Sequence, residues 1–471
     1  MGDAKRDAIM LKPELSPQEI ATALIGLVGD AGMIRPERVE LLDPGRHETN
    51  LDAGIVATPT SPEDVQKIVT WCAAQGVAVV PHGGRTSLAG ASKTLRGQLV
   101  LSTEKLNRII EIDTAAGCAI VEPGVTLANL QAACAEHGLS PGIDLGARDS
   151  ATVGGMVSTN AGGQQSFRYG VMRHRILGLD AVLGDGRLFT DLKKVSKSNE
   201  GYNLKHLFIG AEGTLGVVTR IAIALIPRDG QKATALASCP GEDSAVKAFE
   251  RLRNTSGLEL QTAEFMSAEF ARTTAEARRE NVLDFEENDN AVFLLFDVPE
   301  AQEDALAEAL AEACEAGEVA NAILAKSETE RERFFGIRED VFHVEAKLPH
   351  GYSYDISLPV SELANYISGL RTRLDSIRED LYLSTLGHIA DGNLHLTVTC
   401  GKEMPECEDA ITDAINHGLA EVGGSFSAEH GIGTDKRRSL HLHVPEHQIE
   451  LMRSIKHLFD PAGIMNPGKV L

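Results

Sequence analysis

Ala151-Thr-Val-Gly-Gly-Met-Val-Ser-Thr-Asn-Ala-Gly-Gly163 decides the fold, because this run places four glycines and several small polar residues close together. Glycine lacks a Cβ atom and adopts positive φ angles readily, so a backbone of this composition can approach a large planar ligand closely. The run predicts a loop that lies against such a ligand. A surface turn is the competing interpretation, since glycine is common in loops of every kind.

A second glycine-rich stretch lies upstream, at Pro81-His-Gly-Gly-Arg-Thr-Ser-Leu-Ala-Gly90. It follows the apolar run Val77-Ala-Val-Val80, so a strand is expected to end in a loop rich in backbone N–H groups and hydroxyls, with one guanidinium. These groups suit a pyrophosphate. The G-x-G-x-x-G spacing is missing around Gly83 and Gly84, and no periodic helix follows, which argues against a nicotinamide-binding Rossmann fold.

The composition limits the kinds of partner that the protein can have. The 471 residues are enough for two or three domains with buried cores. The 45 basic and 68 acidic residues give a net charge of −23, which argues against nonspecific binding to nucleic acid. No apolar run reaches the roughly eighteen residues of a membrane span, and Met1-Gly-Asp-Ala-Lys-Arg-Asp7 has no apolar secretory segment. A cytoplasmic location is therefore the default expectation.

Helix and strand signals divide the chain near Pro227-Arg-Asp-Gly230. Before this point, a helix that begins after Ser61 and ends at Gly76 lies between two short strands, so a βαβ unit is predicted. Gly184-Asp-Gly186 separates two strand-like runs and predicts a hairpin. After residue 230, strands and helices alternate in a pattern typical of an antiparallel α+β module.

A group of histidines and carboxylates lies in the C-terminal part of the chain. His388 and His395 flank an Asp-Gly-Asn turn, and Glu429 precedes His430 in a glycine-containing loop. Two neutral imidazoles and one carboxylate leave coordination positions free, as a catalytic metal requires. Because the chain has 15 histidines, ordinary hydrogen-bonded imidazoles are the competing interpretation.

These motifs together resemble those of a known family. The two glycine-rich stretches, the histidine turn, the Glu429-His430 segment and the ending Phe459-Asp-Pro-Ala-Gly-Ile-Met-Asn-Pro-Gly-Lys469 resemble FAD-linked 2-hydroxy-acid dehydrogenases. This family, which includes D-2-hydroxyglutarate and D-lactate dehydrogenases, belongs to the vanillyl-alcohol-oxidase or PCMH-type flavoprotein superfamily. The resemblance covers about residues 40–471, with the motifs in the family's order.

The resemblance implies an α+β fold with four parts. A PCMH-type FAD-binding domain of two α+β subdomains is expected at residues 51–227, after an N-terminal arm at 1–50. A substrate or cap domain with an antiparallel sheet is expected at 228–425. The C-terminal segment, 426–471, is expected to return to the flavin.

The resemblance also assigns a set of FAD-binding residues. Arg85 stands where some flavoproteins carry a histidine that bonds covalently to the flavin, so non-covalent FAD is expected. The expected FAD-binding residues are Pro81, His82, Gly83, Gly84, Arg85, Thr86, Ser87, Gly90, Pro141, Gly146, Ser150, Thr152, Gly154, Gly155, Ser158, Asn160, Gly162, Gly163, Glu212, Gly213, Gly216, Val217 and Asn466.

The family motif further implies a metal centre beside the flavin. His388, His395 and Glu429 match its ligands for a divalent metal, with zinc as first candidate and manganese or iron as alternatives. His430 matches the base that accepts the hydroxyl proton. Arg338 matches an arginine that pairs with a substrate carboxylate, although an exposed helix arginine is the competing interpretation.

The activity implied by the resemblance is metal-assisted oxidation of a D-2-hydroxy acid by hydride transfer to FAD N5. D-2-hydroxyglutarate is the first candidate substrate, and D-lactate or another D-2-hydroxy acid is the alternative, because Ser353 and Thr397 stand where hydroxyglutarate enzymes typically carry Lys and Asn. Implied partners are an electron-transfer flavoprotein, a cytochrome or a quinone, and a second subunit in a homodimer. An oxygen-using oxidase, a flavin-binding module without turnover and a metal hydrolase are the competing functions.

Overall fold

Three β-sheets and one two-stranded ribbon organise the residues that the computed structural model describes, which are 15–283, 288, 290–347 and 349–471. Residues 1–14 of the predicted N-terminal arm, with the segment considered for a secretory signal, lie outside this range. No helix among the described residues is long and apolar enough to cross a membrane.

The first half of the chain consists of short helices and two sheets. Its elements in chain order are α1 Pro17–Val28, β1 Met33–Ile34, α2 Pro36–Val39, β2 Val56–Ala57, α3 Pro62–Gln75, β3 Val79–His82, β4 Leu99–Ser102, β5 Ile109–Asp113, β6 Cys118–Val121, α4 Leu127–Ala135, β7 Leu139–Ser140, α5 Val153–Thr159, α6 Ser166–Tyr169, α7 Met172–Arg175, β8 Ile176–Leu183, β9 Leu188–Asp191, α8 Lys205–Phe208, β10 Gly216–Ala224 and β11 Ile226–Pro227.

The second half of the chain carries longer helices and one large sheet. Its elements are β12 Lys232–Cys239, α9 Glu242–Asn254, β13 Thr262–Ser267, α10 Ala268–Arg278, β14 Val292–Pro299, α11 Glu303–Glu315, β15 Asn321–Leu324, α12 Glu328–Glu339, α13 Val341–Lys347, β16 Tyr352–Ser357, α14 Leu363–Ile377, β17 Tyr382–His388, β18 Asn393–Thr399, α15 Glu408–Asn416, α16 Arg437–His443 and α17 Glu446–Phe459. The predicted division near residue 227 lies between β11 and β12, which belong to different sheets.

The predicted βαβ unit lies in a four-stranded sheet, which has two strands more than the sequence indicated. The Ser61 hydroxyl accepts a hydrogen bond from the Asp64 N–H at the start of α3, and Gly76 ends the helix in the left-handed conformation. The sheet order is β1-β2-β4-β3, so β4 lies between the two predicted strands and pairs in parallel with both. A five-stranded antiparallel sheet, β5-β6-β10-β8-β9, follows and contains the predicted hairpin of β8 and β9.

The seven-stranded sheet confirms the predicted antiparallel module. Its order is β15-β12-β14-β13-β17-β18-β16, and every neighbouring pair is antiparallel. One face packs on α9, α11, α14 and α15 through a core that includes Phe249 and Phe296. The other face packs on α10, α12 and α13 through a second buried cluster. Side chains alternate along β17, so His388 shares this second face with the buried Leu386.

The C-terminal tail returns to the first sheet. The Val79 N–H donates to the Ile464 carbonyl at 2.8 Å, and the Asn466 N–H donates to the Val79 carbonyl at the same distance. The tail therefore pairs with β3, the strand that leads into the glycine-rich stretch at residues 81–90. This arrangement agrees with the expected return of the C-terminal segment.

Candidate active site

A cavity of about 310 Å³ lies where the two glycine-rich stretches meet. Most of the predicted FAD-binding residues line it. These are Pro81, His82, Gly83, Gly84, Arg85, Thr86, Ser87, Gly146, Thr152, Gly154, Gly155, Ser158, Gly162, Gly163, Glu212, Gly213, Gly216 and Val217. Glu429 and His430 are also part of the lining.

The two stretches pack backbone against backbone. A Cβ atom on Gly84 would lie 1.8 Å from the Ser150 carbonyl oxygen, and one on Gly83 would lie 2.3 Å from the Thr152 hydroxyl. The loop prediction for residues 151–163 is wrong in part, because their centre forms helix α5. The Thr152 hydroxyl accepts a hydrogen bond from the Gly155 N–H and starts this helix in spite of its glycines.

Replacement of Gly84 by Ala is expected to weaken FAD binding. The new methyl group meets rigid backbone at Ser150. Such overpacking costs about 1–3 kcal/mol, so the affinity for FAD falls by about tenfold or more. Flavin fluorescence released on dilution of the purified protein measures this loss. Gly230→Ala is the matched control, because a Cβ atom there meets nothing within 4 Å. Equal FAD retention by both variants contradicts the assignment of this wall.

Five predicted FAD-binding residues lie outside the lining: Gly90, Pro141, Ser150, Asn160 and Asn466. The Asn466 amide donates to the carbonyls of Ala91 and Glu212, which both line the cavity. Asn160 ends α5 at a φ of 54°, and its side-chain oxygen accepts from the Arg173 N–H. Asn466 and Asn160 therefore lie outside the cavity lining and hold neighbouring backbone in place through these hydrogen bonds.

The polar atoms of the cavity suit a flavin dinucleotide. Ser87 Oγ and Arg85 Nε are buried and have no hydrogen-bond partner among the described residues. Burial lowers the pKa of His82 to about 3, and its Nε2 lies 2.8 Å from the Ser92 carbonyl, so the neutral ring supports the loop. Unpaired donors within a glycine-rich wall fit a pyrophosphate group.

The three predicted metal ligands converge beside this cavity. Ligand atoms of His388, His395 and Glu429 lie within 4.8 Å of one another. Glu429 also contacts the cavity wall, because its Oε1 accepts from the Gly163 N–H at 2.8 Å. Burial raises the pKa of Glu429 and lowers the pKa of His395. The donor set of two imidazoles and one carboxylate suits a divalent ion.

Each of the two histidines has a buried carboxylate opposite it on the neighbouring strand. Glu264 on β13 faces His388, and their side chains are 2.8 Å apart. Asp355 on β16 faces His395, with 3.5 Å between Nδ1 and Oδ1. Burial alone would lower the pKa of His388, but the Glu264 carboxylate outweighs it and raises that pKa to about 9. Carboxylates in this position orient histidine ligands.

Sequence reasoning missed both carboxylates. A single charged residue in strand β13, whose residues are all buried, was the available signal for Glu264. Glu264 also gives the buried Arg338 an ionic partner, since Arg338 Nε donates to it at 2.6 Å. Arg338 is 6% exposed, so the interpretation as an exposed helix arginine is wrong.

Asp355 and Glu212 together hold the loop that carries Glu429 and His430. Asp355 Oδ2 accepts from three consecutive backbone N–H groups, those of residues 428, 429 and 430, at 2.7–3.0 Å. Glu212 accepts from the N–H groups of residues 432 and 433 at 2.6 and 2.8 Å. The two carboxylates come from different sheets or their connections, so this loop is fixed from both sides.

A second group of potential ligands is Asp355, His395 and His430. The oxygens of Asp355 are already occupied, since Oδ1 accepts from the Asn393 amide at 2.8 Å and Oδ2 from the three loop N–H groups. Burial would raise the pKa of Asp355, but His430, Lys436 and the N–H donors hold it far below the usual value. Asp355 is therefore an organising carboxylate and His388, His395 and Glu429 are the better metal candidates.

Replacement of Asp355 by Asn is expected to destabilise the protein by about 3–5 kcal/mol, because the three N–H groups lose their buried anionic acceptor. Urea unfolding followed by intrinsic fluorescence and by flavin release measures the change. Asp413→Asn is the control, since Asp413 pairs with Arg438 at the exposed surface, and exposed pairs contribute at most about 1 kcal/mol. Equal midpoints for the two variants contradict the role given to Asp355.

Comparison with known proteins identifies the family. A model of the C-terminal domain of FAD linked oxidases matches residues 228–470, and an FAD binding domain model matches residues 53–191. The mitochondrial D-2-hydroxyglutarate dehydrogenase of Rattus norvegicus is 32% identical over 98% of this chain and 88% of its own. The D-2-hydroxyglutarate dehydrogenase of Xanthomonas citri pv. viticola is 33% identical over 88% of each chain.

A solved structure shares the architecture. The 4-ethylphenol oxidase from Gulosibacter chungangensis superimposes with a TM-score of 0.72 over 96% of both chains, at 19% sequence identity. The PCMH-type α+β fold is therefore confirmed. The two family models and the D-2-hydroxyglutarate dehydrogenase relatives show that the protein is an FAD-dependent oxidoreductase. The chain belongs to the FAD-linked oxidase family.

Proposed function

We propose that this protein is a metal-assisted dehydrogenase that converts a D-2-hydroxy acid to the 2-oxo acid. The main support is that His388, His395 and Glu429 converge beside the cavity. Glu429 lines this cavity and accepts a hydrogen bond from the Gly163 N–H. These three residues would hold a divalent ion, which when bound would lower the pKa of the substrate hydroxyl and help to orient the substrate. Bound FAD supplies the acceptor for the hydride from the substrate Cα.

His430 acts as the base in this proposal. Its ring stacks on that of His395, with 5.6 Å between centroids and an angle of 11°. Burial lowers the pKa of His430, although nearby Asp355 opposes this, so the imidazole is neutral at physiological pH. A neutral imidazole next to a metal ligand can accept the hydroxyl proton. Arg338, held by Glu264, provides the positive charge for the substrate carboxylate.

D-2-hydroxyglutarate is the first candidate substrate, because the relatives described above are named for it. Ser353 and Thr397 favour a second candidate, a D-2-hydroxy acid with a shorter or apolar side chain, such as D-lactate. They lie opposite each other on β16 and β18, two residues from Asp355 and His395 respectively, and on the same face. In this proposal the distal end of the substrate would meet the hydroxyls of Ser353 and Thr397. A cation at that place would instead favour a substrate with a second carboxylate.

Anaerobic mixing with a substrate panel tests this function. The holoprotein is mixed with D-2-hydroxyglutarate, D-lactate and longer apolar D-2-hydroxy acids, each beside its L enantiomer, while the visible flavin absorption is followed. Bleaching by a D acid alone supports the proposal and ranks the substrates. Absence of bleaching by every member contradicts it. Fast peroxide formation in air identifies the oxygen-using oxidase instead.

The proposed electron acceptor is an electron-transfer flavoprotein, a cytochrome or a quinone, and the proposed assembly is a homodimer. Zinc is the first candidate metal, with manganese and iron as alternatives. Reoxidation rates with each acceptor class, light scattering and metal analysis of the purified protein test these three points in turn.

A further inference from the structure

One buried carboxylate connects a proposed metal ligand to the proposed substrate arginine. Glu264 is 1% exposed, and each of its two oxygens has a different partner. Oε1 lies 2.8 Å from His388 Nδ1, and Oε2 accepts from Arg338 Nε at 2.6 Å. The contact leaves Nε2 as the His388 nitrogen that can bind an ion, and it leaves the two terminal nitrogens of Arg338 for an anion.

We infer that Glu264 is a positioning residue that couples metal affinity to substrate binding. This inference rests on the proposed function, since it assumes that His388 binds a metal and Arg338 a carboxylate. A carboxylate that accepts from the second nitrogen of a histidine ligand fixes the ring and strengthens its bond to the metal. The same carboxylate fixes the guanidinium, so a single change at residue 264 disturbs both subsites.

The proposed coupling requires a carboxylate whose two oxygens reach His388 and Arg338 at the same time. Gln at position 264 has one acceptor oxygen, and its NH2 group would face either the His388 or the Arg338 donor. One contact is then lost, and the remaining donor is left buried without an acceptor. Asp keeps the charge but is one methylene shorter, so it cannot reach both partners where Glu does.

The chain offers a matched control on the same sheet and the same helix. Asp297 on β14 is also fully buried, and it accepts from Arg331 Nη2 at 2.9 Å. Arg331 and Arg338 lie on α12, two helical turns apart. The pair of Asp297 and Arg331 is thus likewise a buried carboxylate with an α12 arginine, but the described side-chain contacts of Asp297 are with Arg331, Thr234 and Lys232 and include no proposed metal ligand.

Metal titration of the full-length, FAD-loaded protein tests the inference. Zn²⁺ is removed with a chelator and then returned in competition with a metal indicator, for the wild type, Glu264→Gln, Glu264→Asp and Asp297→Asn. We expect Glu264→Gln to lower the affinity for Zn²⁺ by about 10–100-fold and to raise KM by about tenfold, as loss of one charge-assisted contact does. Asp297→Asn is expected to change both values by less than about twofold, although it lowers stability.

The outcomes separate this inference from the proposed function. If the wild type binds no Zn²⁺ and responds to no metal, the proposed function fails. If the wild type binds Zn²⁺ and Glu264→Gln binds it equally well with an unchanged KM, the positioning role is wrong. If Glu264→Gln does not fold, Glu264→Asp decides, because this variant is expected to lose affinity for Zn²⁺ or for the substrate. A wild-type Zn²⁺ affinity together with a wild-type KM in Glu264→Asp overturns the inference. Equal losses in Asp297→Asn also overturn it, since they indicate a general effect of stability.

Discussion

Removal of the proposed divalent ion is expected to reduce turnover of the proposed D-2-hydroxy-acid substrate by about 10³-fold or more, since a catalytic ion contributes several kcal/mol to the stabilisation of developing negative charge. The hydroxyl of a 2-hydroxy acid is a weak acid in water, and His430 is a weak base. Without the ion, proton transfer between them is strongly unfavourable. Dialysis against a chelator, followed by steady-state assays and metal analysis, measures the effect.

FAD should remain bound after the ion is removed, because Glu429 is the one metal candidate among the residues that line the cavity, and its contact with the Gly163 N–H needs no ion. An unchanged flavin spectrum is therefore the internal control. Return of zinc, manganese or iron to separate samples identifies the ion that restores turnover. Glu429→Gln, with one ligand oxygen replaced by nitrogen, should reproduce the loss and resist rescue. Full turnover of metal-free protein excludes a catalytic metal.

His430→Ala is expected to lower kcat by about 10²–10⁴-fold, the usual contribution of a general base. The substitution leaves the three metal candidates in place, so metal content and FAD content should stay at wild-type levels. Anaerobic flavin reduction in a stopped-flow instrument measures the chemical step directly, without the electron acceptor.

The matched control for His430 is His441→Ala, because His441 is exposed on α16 and forms no part of the cavity. Wild-type flavin reduction is expected for this variant. Slow flavin reduction in His430→Ala, at normal metal and FAD content, supports His430 as the general base. If flavin reduction in His430→Ala is as fast as in the wild type, another group takes the proton.

The features that depend on local sequence were predictable. A glycine that permits close packing, such as Gly84, and a helix bounded by Ser61 and Gly76 depend on residues a few positions away. The motifs around His388 and Glu429 were also visible, since they are continuous in sequence. Helix α5 was missed because glycine is a poor helix former, and packing against the neighbouring stretch overrides that preference.

The features that depend on strand register were not predictable. Strand β4 lies between β2 and β3, and no residue in these short runs specifies that order. Glu264 reaches His388 across 124 positions of sequence, through the pairing of β13 with β17. A carboxylate within a buried strand indicates a buried partner but does not identify it. The partners of the proposed site therefore came only from the structure.

The loop at residues 428–433 has a consequence for protein engineering. Its backbone is held by Asp355 from the seven-stranded sheet and by Glu212 from the segment that leads into β10. A chimera that joins the first half of one homologue to the second half of another takes Glu212 from one parent and Asp355 with the loop from the other. The contacts between these three parts are kept most safely when they come from the same parent. Crossover points for recombination libraries should accordingly be chosen so that one parent supplies all three pieces, even though they are far apart along the gene.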